Sequence, residues 1–419
     1  MKFNRLVAAL GIALAGFAGV SSAAERLFSQ ASNRSQIANP GELLRQVASD
    51  PANARIDIVA ANPKQVSADT QEINLSLPGG IEISAKQTAF ERMESGNEVW
   101  SGQLEMGYAK KGSDTNLVPL DAALNNIIIV RSGDTLLANI RLEGELYRLI
   151  PIDDGAHVLV EVDQQKFLVD ESEKGYAEMM RNAGEVDLSD KASHPGAKAI
   201  STIRVMVAFG ASAAAAVGNE QQAIDLSFAE SNQALAATNT DIRFQQAGAI
   251  RFYTQSESTN YSTMLSRLTN LSDGFYDAIG GQRNTNTADI VAYVAPASPG
   301  LCGQAAGIAT SNAQAYFVMN PSCLSGNFTF VHEAGHVVGA RHDNDPTTTP
   351  FAYGHGFVAA SINRRTVMAV NNGPCPSCTR LGAFSSPNYT VSGVAIGTAS
   401  FRDNNRVWRT RGPTVAAFR

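Results

Sequence analysis

Residues 331–343 read Val-His-Glu-Ala-Gly-His-Val-Val-Gly-Ala-Arg-His-Asp, and this stretch decides how the second half of the chain is interpreted. His332 and His336 are four residues apart, so on a helix their imidazoles leave the same face and can share one cation. Gly339 allows the backbone to leave the helix sharply at a positive φ, and the turn brings His342 back as a third ligand. Three neutral imidazoles with one open position predict a catalytic zinc site rather than a closed structural one.

Glu333 follows the first of these histidines and is placed to reach a zinc-bound water without binding the metal itself. We expect it to take the proton as the water attacks a peptide carbonyl, and to deliver that proton to the leaving amine. A bare His-Glu-x-x-His also arises by chance. However, the chain has six histidines, and three of them lie in this stretch with a glycine at the required place. The pattern therefore predicts a zinc metalloendopeptidase.

The stretch resembles the long zinc signature of the metzincin peptidases, which also requires a methionine turn downstream. Thr366-Val367-Met368-Ala369 supplies that methionine, and the resemblance implies that Met368 forms an apolar floor beneath the zinc histidines. Read without the signature, Met368 would be an ordinary core residue. Astacin-like and serralysin-like metzincins carry a tyrosine two positions after the methionine, where this chain has Val370, so the resemblance favours the reprolysin-like branch.

Further elements resemble those of bacterial reprolysin-like peptidases, and the similarity covers roughly residues 200–419. The nearest named family is peptidyl-Asp metalloendopeptidase. The elements that carry this likeness are Leu301-Cys302-Gly303, His342-Asp343, Phe384-Ser385-Ser386-Pro387-Asn388 and a closing helix within Asp403 to Phe418. The resemblance implies an α/β (α+β) metzincin-like domain with a mixed sheet and an active-site helix. It also favours a role for Asp343 in fixing the methionine turn or a histidine, against the alternative of an exposed loop acid.

Composition divides the chain near residue 199. All nine lysines lie at or before Lys198, and the stretch at 190–198 is polar with proline and glycine, which is typical of a linker. Residues 72–168 contain short runs with period-two alternation, which predict strands. We therefore expect three parts: a signal peptide at 1–24, a β-rich propeptide at 25–198 and a metzincin-like zinc peptidase domain at 199–419.

The first 24 residues predict secretion. Lys2 and Arg5 form a basic start, residues 6–20 are an apolar run, and residues 21–24 offer the small side chains that a signal peptidase accepts. No later run is long and apolar enough to span a bilayer. The net charge of −6 gives no reason to expect a nucleic-acid partner. Expected partners are protein or peptide substrates and the chain's own propeptide as an intramolecular inhibitor, with no membrane partner.

Four cysteines in a secreted chain predict disulfides, and three pairings exist. Closeness in sequence favours Cys302–Cys323 and Cys375–Cys378. The alternative is a zinc or redox site at Cys375 and Cys378. Because residues 25–199 contain no cysteine, a propeptide cysteine cannot silence the zinc, and Asp153 and Asp154 are the carboxylates considered for that position.

Substrate recognition is less specified by the sequence. The segment 315–319 reads as a strand that could pair with an extended substrate, or as plain core. Cleavage before aspartate needs a cationic subsite, for which the sequence offers Arg341, Arg364, Arg365 and Arg380 without distinguishing among them. Structural calcium is left open. Alternatives to a broad or acid-directed endopeptidase are an exopeptidase, a peptidase dedicated to one partner, and a zinc-bearing adhesin or toxin. Glu333 argues against a pure binding protein.

Overall fold

The computed structural model describes residues 26–30, 41–105, 117–152, 155–184, 199–255, 258–297, 300–371 and 375–419. The predicted signal peptide, the linker at 190–198, and Asp153 with Asp154 lie outside these ranges. Within them, no helix has the length and apolar character needed to cross a bilayer.

The first half is built on one antiparallel sheet, which in the described ranges has nine strands in the order β1-β2-β10-β9-β8-β7-β5-β4-β3. Burial follows the predicted alternation in β3, where Ile73, Leu75 and Leu77 point into the core. The elements are β1 Phe28–Gln30, α1 Glu42–Ser49, β2 Asn53–Ala61, β3 Glu72–Leu77, β4 Ile81–Arg92, β5 Glu98–Leu104, β6 Val118–Pro119, β7 Asn126–Ser132, β8 Thr135–Leu142, β9 Glu145–Pro151, β10 His157–Val162 and α2 Glu173–Arg181.

The second half is mixed α/β, as expected. Its main sheet runs β12-β11-β14-β16-β15, with β13 also paired to β11, and β15 is the antiparallel edge strand of this otherwise parallel sheet. The elements are β11 Ser201–Gly210, α3 Ala211–Ala215, α4 Glu220–Ala237, β12 Ile242–Gln246, β13 Arg251–Tyr253, α5 Tyr261–Thr269, α6 Ala278–Thr285, β14 Ile290–Val294, β15 Gly303–Ala305, β16 Tyr316–Met319, α7 Thr329–Val338, β17 Val358–Ala359, β18 Arg364–Arg365, β19 Thr379–Arg380, β20 Ser386–Val391, β21 Val394–Ile396 and α8 Asn404–Val415.

Two details differ from the sequence prediction. The apolar pattern of residues 242–253 predicts a single strand, but these residues form the two strands β12 and β13, because Gly248 takes a left-handed conformation with φ of 73° between them. The segment 315–319 does not offer a free edge, since β16 is paired with β14 on one side and β15 on the other. The edge strand at this end of the sheet is β15, and residues 169 and 170 lie against its outer side.

The two halves share a continuous core. Val130 and Leu137 of the first sheet belong to the same buried cluster as Phe228 on α4. The Arg141 side chain pairs with Glu230 at 2.9 Å, and both side chains are 3% exposed. In addition, β6 pairs in parallel with β20. The first half is thus docked on the second through both apolar and charged contacts.

Both disulfides have the pairing favoured from the sequence, Cys302 with Cys323 and Cys375 with Cys378. With both sulfurs bonded, Cys375 and Cys378 do not provide thiolates for a metal. The first bridge lies beside β15 and ties the start of that strand to the loop before α7.

Candidate metal centre

Helix α7 carries the first two histidines, and all ten of its residues are buried. It ends at Gly339, which adopts a φ of 119°, and the Gly339 amide donates to the carbonyls of Gly335 and His336. A Cβ on residue 339 would lie 2.8 Å from Phe351, so both the backbone angle and the space require glycine. The turn directs the chain back toward the helix and places His342 beside His332 and His336.

The three imidazoles converge. Each pair of Nε2 atoms among His332, His336 and His342 is 3.2 Å apart. His332 Nδ1 lies 2.9 Å from the Val367 carbonyl, and His336 Nδ1 lies 2.9 Å from the Ala340 carbonyl. A carbonyl accepts only, so each Nδ1 carries the proton and each Nε2 presents a lone pair to the centre.

This arrangement fits a metal ion. Lone pairs that face one another at this spacing repel unless a cation lies among them, and outer hydrogen bonds that fix the imidazole orientation are typical of metal-ligating histidines. Together with Glu171, the three histidines form a cluster whose potential ligand atoms all lie within 4.8 Å of one another.

Glu333 lies buried against the edge strand. A Cβ on Gly303 would come within 2.5 Å of the Glu333 Oε1 atom, so the absence of a side chain there makes room for the carboxylate. Neither oxygen of Glu333 has a hydrogen-bond partner within the described residues. Burial, reinforced by the Glu171 and Asp170 carboxylates, raises the pKa of Glu333 well above its ordinary value. A buried carboxyl group without partners is expensive to maintain, so its presence here indicates a functional role.

The floor of the site is formed by Met368 and by a link from Asp343. A Cβ on Gly335 would lie 2.7 Å from the Met368 sulfur, so this sulfur packs directly against α7 between the two helical histidines. The Asp343 carboxylate accepts a hydrogen bond of 3.0 Å from the Val370 amide. Asp343 therefore joins the end of the histidine stretch to the methionine turn, which is one of the two positions considered for it.

A carboxylate from the first half lies at the centre of the histidine cluster, and it is Glu171. Its Oε1 is 2.9 Å from His332 Nε2 and 3.1 Å from His336 Nε2, and its Oε2 is 3.2 Å from His342 Nε2. The carboxylates considered from the sequence, Asp153 and Asp154, lie outside the described residues, and the carboxylate that the structure places among the histidines is Glu171.

Helix α2 follows Glu171 and also contacts the site, and we call these two elements of the first half the cover. Its Tyr176 ring stacks on His342 with centroids 4.0 Å apart, and its hydroxyl donates to Asp345 at 2.8 Å. Asp345 also pairs with Arg341 at 2.9 Å. The first half thus contacts the third histidine both from the metal side and from its outer face.

The four candidate arginines have different surroundings. Arg341 is paired with Asp345. Arg364 donates to the Glu143 carbonyl at 2.7 Å. Arg380 contacts both carboxylate oxygens of Asp170, one of them at 2.8 Å, and Arg365 lies 3.9 Å from the same carboxylate.

Two further histidines, His355 and His157, lie outside the cluster, and each contacts the backbone of another segment. His355 Nδ1 is 3.1 Å from the Phe401 carbonyl, and its ring stacks on Phe401. His157 Nε2 accepts a hydrogen bond of 2.9 Å from the Leu136 amide.

Sequence reasoning missed Asp170, Glu171 and Tyr176. The acidic pair precedes α2, whose first turn is capped by the Ser172 hydroxyl accepting from the Gly175 amide. That cap indicates a helix start and carries no information about a metal.

Comparison with known proteins gives the class and then the family. Residues 221–343 match the Metallo-peptidase family M12B Reprolysin-like. The chain is 36% identical over 436 residues to a peptidyl-Asp metalloendopeptidase of Xanthomonas campestris pv. campestris, and the match covers all of both chains. A protein of the same name from Stenotrophomonas maltophilia is 34% identical over 99% of this chain and 97% of its own. One from Pseudomonas fragi is 31% identical over 45% of this chain and all of its own.

The chain is therefore a metallopeptidase of the reprolysin-like class. Within that class it belongs to the peptidyl-Asp metalloendopeptidase family.

Proposed function

We propose that the protein is a secreted zinc metalloendopeptidase whose metal is held by His332, His336 and His342 and whose general base is Glu333. The observation that carries the proposal is the convergence of three Nε2 atoms at 3.2 Å next to a buried carboxylate without partners. Nitrogen ligands of this number, with a fourth position for water or substrate, favour zinc in a catalytic role.

When bound, zinc supplies Lewis acidity toward the scissile carbonyl and toward water. The rest of the chemistry falls to this chain's residues. Glu333 takes a proton from the attacking water and passes it to the amine that leaves. The extended substrate backbone pairs with the outer side of β15, which residues 169 and 170 cover in the unprocessed chain. Met368 and Asp343 hold the floor on which the histidines rest.

The first half is proposed to act as a propeptide. Glu171 occupies the position that faces all three histidines, and Tyr176 covers His342, so water and substrate have no access to the centre while this half is docked. The proposed division is a signal peptide at 1–24, a propeptide at 25–198 and a peptidase domain at 199–419. Preference for cleavage on the N-terminal side of aspartate is proposed from the name that the relatives carry.

The test of the central proposal uses Glu333→Gln, which keeps shape and removes the base. Peptide hydrolysis is expected to fall by about 10²–10⁴-fold while zinc content stays at one ion per chain. Glu220→Gln, on the first turn of α4, is the matched control and is expected to retain wild-type activity. Wild-type turnover by Glu333→Gln would refute the assignment of the base, and full activity after removal of the metal by phenanthroline would refute the zinc mechanism.

A further inference from the structure

Asp170 and Arg380 form a buried ion pair between the two halves. The two side chains are 4% and 5% exposed. The guanidinium meets the carboxylate through two nitrogens, with Nη1 at 2.8 Å from Oδ1 and Nη2 against Oδ2. Bidentate pairing of this kind is the geometry by which arginine selects a planar carboxylate.

A second cation faces the same carboxylate. Arg365 and Arg380 are direct partners in the parallel pairing of β18 with β19, and Arg365 Nη1 is 3.9 Å from Asp170 Oδ2. Burial and the neighbouring Arg380 lower the pKa of Arg365 to about 9. Two buried guanidinium groups disfavour each other's charge, and an anion between them offsets that cost. Both arginines belong to the second half, whereas Asp170 belongs to the first.

The Asp170 carboxylate lies next to the metal centre. Asp170 is the residue before Glu171, whose carboxylate touches all three histidines. The backbone of the same segment lies along the cleft edge, with the Cys302 amide donating to the Val169 carbonyl at 2.8 Å and the Gly303 amide donating to the Asp170 carbonyl at 3.1 Å. An aspartate side chain is thus held one residue from Glu171, on a short segment whose backbone is hydrogen-bonded to the start of β15.

Strand direction relates this segment to a substrate. Val169 pairs with Leu301 in parallel. Antiparallel pairing is slightly more stable per residue, and a substrate paired in that way runs opposite to residues 169–171. In such a substrate, the position of Asp170 belongs to the residue that follows the scissile carbonyl. The reversed direction also explains how the segment can fill the cleft without presenting a bond for cleavage.

We infer that Arg380, assisted by Arg365, forms the subsite that binds the aspartate side chain on the C-terminal side of the cleaved bond, and that Asp170 fills this subsite in the unprocessed chain as a substrate mimic. The inference rests on the proposed peptidase function. It assigns aspartate recognition to one pair of arginines among the four that the sequence offered, and it makes Arg380 a specificity residue.

The experiment compares peptides that differ only in the residue after the scissile bond, aspartate, asparagine or glutamate, using active enzyme obtained from the full chain. The wild type is expected to favour aspartate over asparagine by at least about 10²-fold in kcat/KM, because a buried cationic site left without its anion rejects the neutral isostere. Arg380→Gln is expected to bring this ratio to within a few-fold of one, chiefly because hydrolysis of the aspartate peptide falls. Arg380→Lys retains charge and bulk, and is expected to give an intermediate ratio because the bidentate contact is lost.

Arg364→Gln is the matched control. Arg364 precedes Arg365 on β18, but its side chain contacts the Glu143 carbonyl rather than Asp170, so the ratio is expected to stay at the wild-type value. An unchanged ratio in both Arg380 variants would overturn the inference while leaving the peptidase function intact. Failure of every enzyme to hydrolyse any of the peptides would instead reject the proposed function.

A binding measurement tests the subsite independently of catalysis. A synthetic peptide spanning residues 165–176 is titrated by calorimetry into the enzyme in the presence of EDTA, in parallel with the same peptide carrying Asp170→Asn. The aspartate peptide is expected to bind at least 10-fold more tightly, and Arg380→Gln and Arg380→Lys are expected to reduce that difference. Equal affinity of the two peptides for the wild type would overturn the inference even if no substrate were cleaved.

Discussion

The floor and the cover of the metal centre are assembled in different ways. The floor, by which we now mean the three histidines together with Met368 beneath them, lies within the second half. His332, His336 and His342 are on one helix and the turn after it, and the carbonyls that orient His336 and His332 are four and 35 residues away. The cover is distant: Glu171 lies 161 residues before His332 in the chain. Both contribute atoms to the same cluster. A site built locally can persist after a distant segment departs, and the four predictions below test this difference.

The largest effect is expected from breaking the floor. His336→Ala removes one of three converging nitrogens, and metal affinity should fall by more than the roughly 10–100-fold that loss of an outer hydrogen-bond partner costs. Metal content by mass spectrometry and competition with a chelating dye measure this. His355→Ala is the matched control, since it removes a buried histidine outside the cluster. Wild-type affinity in His336→Ala would contradict the three-histidine floor.

The next effect concerns docking of the cover. Glu230→Gln leaves Arg141 charged and uncompensated in the buried contact between the halves, which should destabilise the unprocessed chain by roughly 3–5 kcal/mol. Glu91→Gln breaks another pair between the halves, with Arg243, whose side chains are each 45% exposed. That control should cost less than about 1 kcal/mol, because water screens the pair. Denaturant unfolding measures the free energy of unfolding of both variants. Equal losses of stability in the two would count against a buried ionic contact between the halves.

A smaller effect is expected within the floor. Gly335→Ala introduces a methyl group 2.7 Å from the Met368 sulfur, and displacement of that side chain should cost about 1–3 kcal/mol. Gly281→Ala is the matched control, because it lies within α6 and no atom approaches its added Cβ within 4 Å. The control should be neutral or slightly stabilising. Thermal unfolding distinguishes the two, and a stabilising Gly335→Ala would show that Met368 does not press against α7.

The smallest effect belongs to the cover alone. Tyr176→Phe retains the stack on His342 and removes two hydrogen bonds of the hydroxyl, the one donated to Asp345 at 2.8 Å and the one accepted from the His342 amide at 3.3 Å, which should cost the unprocessed chain about 0.5–1.5 kcal/mol. The processed enzyme, which lacks this helix under the proposed maturation, should have the same kcat/KM as wild type. Calorimetry of the unprocessed chain and steady-state kinetics of the processed enzyme measure the two outcomes. A kinetic change after processing would place Tyr176 in the working enzyme.

The same difference explains what the sequence could predict. The strands of the first half follow from period-two alternation, as in β3. Asparagine favours the position before a helix, and α4 starts after Asn219, whose side chain accepts from the Gln222 amide. The histidines were readable because helical spacing converts directly into geometry. Both are local consequences of chain order.

The roles of Glu171 and Arg380 could not be predicted, because the residues that they contact lie far away in the sequence. Arg341 and Arg380 look alike in sequence, but Arg341 pairs with a carboxylate four residues on, whereas the partner of Arg380 lies 210 residues earlier. A carboxylate that reaches the site only when the two halves dock has no characteristic distance in sequence from the residues that it contacts. The sequence therefore offered no reason to prefer Asp170 and Glu171 over Asp153 and Asp154 as the carboxylates that face the histidines.

The pairing of β6 with β20 has a consequence for activation. Leu120 and Leu124, next to β6, are buried with Leu381 and Tyr389 of the other half, so a strand and an apolar cluster bridge the two parts without involving the histidines. Were the backbone severed near residue 199, these contacts would still hold the severed fragments together. Gain of activity would then lag behind the cut and depend on how quickly the first fragment is digested or dissociates, so the onset should be sigmoidal and faster at higher enzyme concentration.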